Sequence, residues 1–159
     1  MRHPLCERQS GPNRRQIMSV LVTDTGFTAD DWTHGYCEDG AANDCRAVDL
    51  ASDADAHALT LTPALEMIRV DFPSFADGRG FTIARVLRLR GYTGRLRARG
   101  HVLADQYAMA RRAGFDEVEI DDDLAARQPE DQWLARADWQ AHDYQSRLRG
   151  ASPQAAAAK

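Results

Sequence analysis

The chain has 159 residues, 43% of them hydrophobic and 28% charged, with a formal net charge of −4. That length and balance suit one domain with a buried core, and they give no overall pull towards nucleic acid or an anionic membrane. No window reaches the roughly 18 apolar residues that a bilayer span needs, so a membrane protein of the helical kind is excluded.

Taken in order, residues 1–17 are polar, hold Pro4 and Pro12, and lack both periodicity and a signal-peptide core. They are expected to be a disordered extension, with Met18 an alternative start to Met1 and the protein cytoplasmic. Cys6, Cys37 and Cys45 are odd in number and irregularly spaced, which argues against a disulfide framework and fits a reducing compartment. Ser19–Thr23 is a β-branched strand followed by the turn residues Asp24-Thr25-Gly26. Thr28–Trp32 reads as a loop or short helical turn, and 35–44, rich in Gly, Asp and Asn, as a loop. Ala47–Leu50 and Leu59–Thr62 suit edge strands, although Pro63 would also permit a short helix over 61–66.

The most regular stretch begins at Met67. Met67–Phe72 is a strand stopped by Pro73, which cannot donate to a ladder. After the loop 74–80, Phe81–Arg90 carries Ile83, Val86 and Leu87 on one helical face and closes at Gly91-Tyr92. Leu96–Arg99 is the next strand, broken at Gly100. A second helix over 101–113 turns Leu103, Tyr107 and Ala110 inward and closes at Gly114-Phe115, before the strand Val118–Ile120. The repeated strand–helix unit with its glycine–aromatic stop requires parallel strands joined by right-handed crossovers. Asp121-Asp122-Asp123 then caps a helix from about Leu124 to about Leu148, interrupted at Pro129 and docked by Trp133, Trp139 and Leu148. The expected fold is therefore α/β: a single domain over 18–149 with its core at 67–120, a small mostly parallel sheet built from βαβαβ units, a C-terminal helix, and a disordered tail over 150–159.

The 20 basic residues include one lysine, Lys159, so nearly every cation is a guanidinium, which grips oxyanions with a planar fork. Seven arginines and no acid fall between Arg79 and Arg99. Arg85, Arg88, Arg90 and Arg95 read as solvated, but Arg97 and Arg99 alternate with Leu96 and Ala98 on a central strand. Each of these two needs a carboxylate, a ligand or the end of the sheet. Ligands of open parallel sheets sit beyond the carboxyl ends of the strands, where Asp71, Arg99 and the following loops would converge. In the loop itself, Ser74, Asp77, Gly78, Arg79 and Gly80 at a helix start could cradle an oxyanion through free backbone N–H groups. The plainer alternative has Asp77 capping the helix and Arg79 paired with Asp71 or Asp105. Asp105-Gln106 could face the same ligand from the second helix, or simply cap it. Gly78-x-Gly80 is no dinucleotide fingerprint, since position 83 is Ile, and there is no P-loop. His34, Cys37 and Cys45 match no zinc spacing, and 116–123 reads as a solvated acidic face. No metal and no cofactor is expected.

The blocks DFPSFADGRGF (71–81), LRARGHVLADQ (96–106) and RAGFD (112–116) together resemble a bacterial family of unknown function whose members are encoded beside assimilatory sulfite reductase and labelled as oxidoreductases of sulfite reduction. On that resemblance Asp71, Phe75, Asp77, Gly78, Arg79, Arg97, Gly100, Asp105 and Gln106 match the family signature. It implies an accessory of sulfite reduction whose partner, the reductase or its electron donor, carries the redox group. The alternatives are a small-oxyanion enzyme or sensor using Arg79, Arg97 and Arg99, and an enzyme with Asp71 and Asp105 as acid and base.

Overall fold

Alternation of apolar and charged residues along three consecutive strands gives this protein a sheet with one greasy face and one ionic face. In the computed structural model, which describes residues 19–38 and 45–140, the strands are β1 (Ser19–Thr23), β2 (Gly26–Ala29), β3 (Cys37–Glu38), β4 (Ala47–Leu50), β5 (Met67–Phe72), β6 (Arg95–Gly100) and β7 (Glu117–Asp121). They form one seven-stranded sheet in the order β2-β1-β7-β6-β5-β4-β3. β3 to β7 run parallel, while β1 is antiparallel to both β2 and β7. The helices are α1 (Arg79–Leu89), α2 (Tyr107–Ala113, entered through a 3-10 turn over Ala104–Gln106), α3 (Asp122–Arg127) and α4 (Glu130–Leu134). No described helix is long and apolar enough to cross a membrane.

Ile68, Val70, Phe72, Leu96, Ala98, Val118 and Ile120 point to the helical side, where Ile83, Ala84 and Leu87 of α1 and Tyr107 and Ala110 of α2 complete the core. Both glycine–aromatic stops work as left-handed closures. Gly91 has φ +91° and Gly114 φ +120°, and the amides of Tyr92 and Phe115 donate back to Leu87 and Ala110 at 3.0 Å. Gly80 is required for packing instead, since a Cβ there would fall inside the buried Phe72 ring and glycine lets α1 lie directly on β5. Gly80→Ala should therefore destabilise the fold by about 1–3 kcal/mol through overpacking, measured by urea unfolding; an unchanged midpoint would mean that Phe72 yields freely.

Several expectations need correction. Of Thr28–Trp32, read as a loop or short helical turn, Thr28 and Ala29 belong to strand β2, because the turn at Asp24-Thr25 folds Gly26–Ala29 back onto β1, while Asp30–Trp32 are loop. Residues 59–62 form no strand; Leu59 is buried by a turn instead. The second helix begins at Tyr107, since Gly100 at φ +106° and the extended Leu103 keep 101–103 out of it. The C-terminal helix is interrupted at Pro129 as expected, but among the described residues its second part stops at Leu134: Asp121 caps α3 by accepting the Leu124 amide at 2.7 Å, and Pro129 starts α4. Trp133 docks as expected, fully buried with its ring edge-on to Tyr107. The largest revision concerns cysteine: Cys37 and Cys45 are disulfide-bonded, their Cα atoms 6.2 Å apart. The extension 1–17, the Met18 start, Cys6, Leu148 and the tail 150–159 lie outside the described residues.

Candidate functional site

On the helix-free face of the sheet, side chains line up in two cross-strand rows. One row runs Asp49–Arg69–Arg97–Glu117 and the other Asp71–Arg99–Glu119, each member directly opposite the next. Arg97 sits at the centre with 0% of its side chain exposed. Its Nε donates to Glu117 Oε1 at 2.8 Å, and its Nη1 donates to Glu119 Oε2 at 3.1 Å, Asp30 Oδ2 at 3.0 Å and the Tyr36 hydroxyl at 3.2 Å. Arg69 holds Asp49 at 2.6 Å and Glu119 at 3.3 Å, with its guanidinium 3.7 Å from the centre of the Tyr36 ring. Two arginines side by side would repel; the carboxylates on either flank and the tyrosine laid over both make the pairing tolerable. The segment from Asp30 to Tyr36 is thus strapped across the ionic face, and Asp31 is drawn below the usual carboxylate range chiefly by its hydrogen bond from Arg95.

Glu117 and Glu119 are buried, so the 116–123 stretch is not simply a solvated face; Arg95 is likewise no free surface cation, since it binds Asp31 and Glu117. The signal was present as complementary alternation, Glu-Val-Glu-Ile against Arg-Leu-Arg-Ala-Arg, but only pairing of the two strands gives it meaning. Arg88 is also engaged, donating to the carbonyls of Tyr92, Gly94 and Gly114 and to Asp116. Two buried donors, Arg97 Nη2 and Trp32 Nε1, have no acceptor among the described residues.

The candidate site residues are distributed over four places. Arg97 belongs to the buried network. Asp71 and Arg99 meet beyond the strand ends, in a cleft of about 300 Å³ shared with Ser19, His101, Glu119 and Asp121. Arg79 points away from it into a groove beside the turn 52–57, where it donates to Asp77 at 2.7 Å and to Ser52 Oγ at 3.0 Å; it pairs with neither Asp71 nor Asp105. Asp77 also accepts the Arg79 amide, and these bonds hold its carboxyl well below the usual range. Ser74 Oγ accepts the amide of Ala76 within the same turn, and exposed Gly78 precedes the helix. Asp105 lies in a third hollow, ion-paired with Arg136 at 2.8 Å. Gln106 closes its own turn through the Leu103 amide at 3.0 Å and donates to the Phe75 carbonyl at 2.8 Å. Phe75 itself is 54% exposed, its ring against His101.

The chemistry open to this arrangement is limited. The Arg97 side chain itself has no solvent access for a substrate, and no group of three or more potential metal ligands occurs among the described residues. The cleft at the strand ends combines unlike charges with apolar walls. The protein belongs to a bacterial protein family of unknown function, DUF934, whose model matches residues 47–155. No curated protein and no solved structure matches the chain.

Proposed function

We propose that this member of a bacterial family of unknown function is an accessory of assimilatory sulfite reduction, one that docks on sulfite reductase or its electron donor and brings no redox cofactor of its own. The resemblance in residues 71–116 motivates the pathway, and the presentation of Phe75 carries the docking mode. Phe75 presents a largely exposed aromatic ring, its backbone carbonyl held by Gln106 and its ring in a T-shaped approach to His101. Two of the three blocks that carry the resemblance contribute, Phe75 from the first and His101 with Gln106 from the second. A small oxyanion alone is the weaker reading, because Arg99 shares its cleft with Asp71, Glu119 and Asp121.

The test is affinity purification of the tagged chain from a bacterium that makes it, together with growth of a deletion strain. Sulfite reductase or its electron donor should co-purify with the unaltered chain and drop about tenfold or more with Phe75→Ser. The deletion strain should grow on sulfide but poorly on sulfite. Normal growth on sulfite, or capture unaffected by Phe75→Ser, would reject this role.

A further inference from the structure

We propose that the cleft beyond the carboxyl ends of β5 and β6 binds a small zwitterion, of the α-amino acid class, with Arg99 taking its carboxylate and Asp71 its ammonium group. The inference is independent of the docking role.

It starts from which charges remain uncommitted. Glu119 already accepts from Arg69 and Arg97, and Asp121 is occupied by the Leu124 amide. Asp71 and Arg99 differ. Among the described residues Asp71 accepts no side-chain hydrogen bond and Arg99 donates none; Arg99 makes one long ion pair, 3.7 Å to Asp49, whose carboxylate is already held by Arg69 at 2.6 Å. These two residues are direct partners across parallel strands, so their side chains leave the same face about 4.8 Å apart at the backbone. They are nevertheless not ion-paired with each other. Among the described residues the cleft therefore displays one positive and one negative group side by side, neither engaged in a hydrogen bond and Arg99 in no more than its long ion pair with Asp49.

Charge complementarity then selects the ligand. A simple anion bound to Arg99 would lie against the carboxylates of Asp71, Glu119 and Asp121, and a simple cation at Asp71 would lie beside the guanidinium. A molecule with both charges on adjacent atoms satisfies both groups at once through charge-assisted hydrogen bonds. A cavity of about 300 Å³ accommodates one small molecule, and exposed Pro73 at its rim offers an apolar surface for a short side chain. Gly100 lets β6 end tightly against β5 beside the cleft, since a Cβ there would press on the Phe72 carbonyl.

Titration calorimetry of the full chain with each common L-amino acid, beside propionate and ethylamine as single-charge probes, tests this. At least one amino acid should bind, and neither single-charge probe should compete with it at the same concentration. Asp71→Asn and Arg99→Gln, which disturb no hydrogen bond among the described residues, should each weaken binding by about tenfold or more, whereas Arg79→Gln in the separate groove should leave it unchanged. Absence of binding by every amino acid, equal binding of propionate, or full affinity in both cleft variants would overturn the assignment.

Discussion

Arg97→Met should lower the stability of the folded chain by about 3–5 kcal/mol, the effect expected when one partner of a buried ionic network is removed. The change deletes bonds to Glu117, Glu119, Asp30 and Tyr36 while leaving two nearly buried carboxylates in place. Arg95 still holds Glu117 and Arg69 still holds Glu119, which puts the expected loss at the lower end of that range. The network itself contributes much less than this figure suggests, because burying four or five charges has its own desolvation cost. The comparison that separates the two quantities is the triple variant Arg97→Met, Glu117→Gln, Glu119→Gln, which removes the unbalanced carboxylates and should recover most of the loss. Urea unfolding of wild type, single and triple variants gives the answer directly. A single-variant loss below about 1 kcal/mol would mean that the strap at 30–36 opens and lets water reach the glutamates.

Alkaline pH should destabilise the protein unusually cleanly. Burial raises the phenols of Tyr92 and Tyr107 well above the ordinary tyrosine range, with the bond to Asp24 adding to the effect at Tyr107. Tyr36 is raised for the same desolvation reason. The sign follows from proton binding. Above about pH 10 the unfolded chain loses its phenolic protons while the folded chain keeps them, so the folded state binds more protons and stability falls as pH rises. Each fully shielded tyrosine contributes a slope of about 1.4 kcal/mol per pH unit in that window. Below it the stability from these groups is fully present. Elsewhere lysines would blur the measurement, but this chain has only Lys159, and its arginines stay charged throughout. Urea midpoints should hold from about pH 8 to near pH 10 and then drop steeply towards about pH 11, and the double variant Tyr92→Phe, Tyr107→Phe should flatten the curve. A wild-type profile as flat as that of the variant would place both hydroxyls in contact with water.

Sequence alone determined the strands and helices wherever one local rule dominated. Apolar periodicity and a glycine–aromatic stop define α1 and β5 to β7, because helix closure at Gly91 and Gly114 depends only on neighbours along the chain. The same locality explains the capping role of Asp121 and the parallel order of the core. What only the tertiary structure decided is how charges are shared between strands. Arg97 and Glu117 are twenty residues apart, and whether a guanidinium faces water, a ligand or a carboxylate depends on register and on which face the helices leave bare. Hence Arg79 and Arg99, alike in chemistry, serve different hollows, and two cysteines with no recognisable spacing meet in a disulfide. Local backbone preferences are written residue by residue; electrostatic partnership is a property of distances that exist only once the sheet has formed.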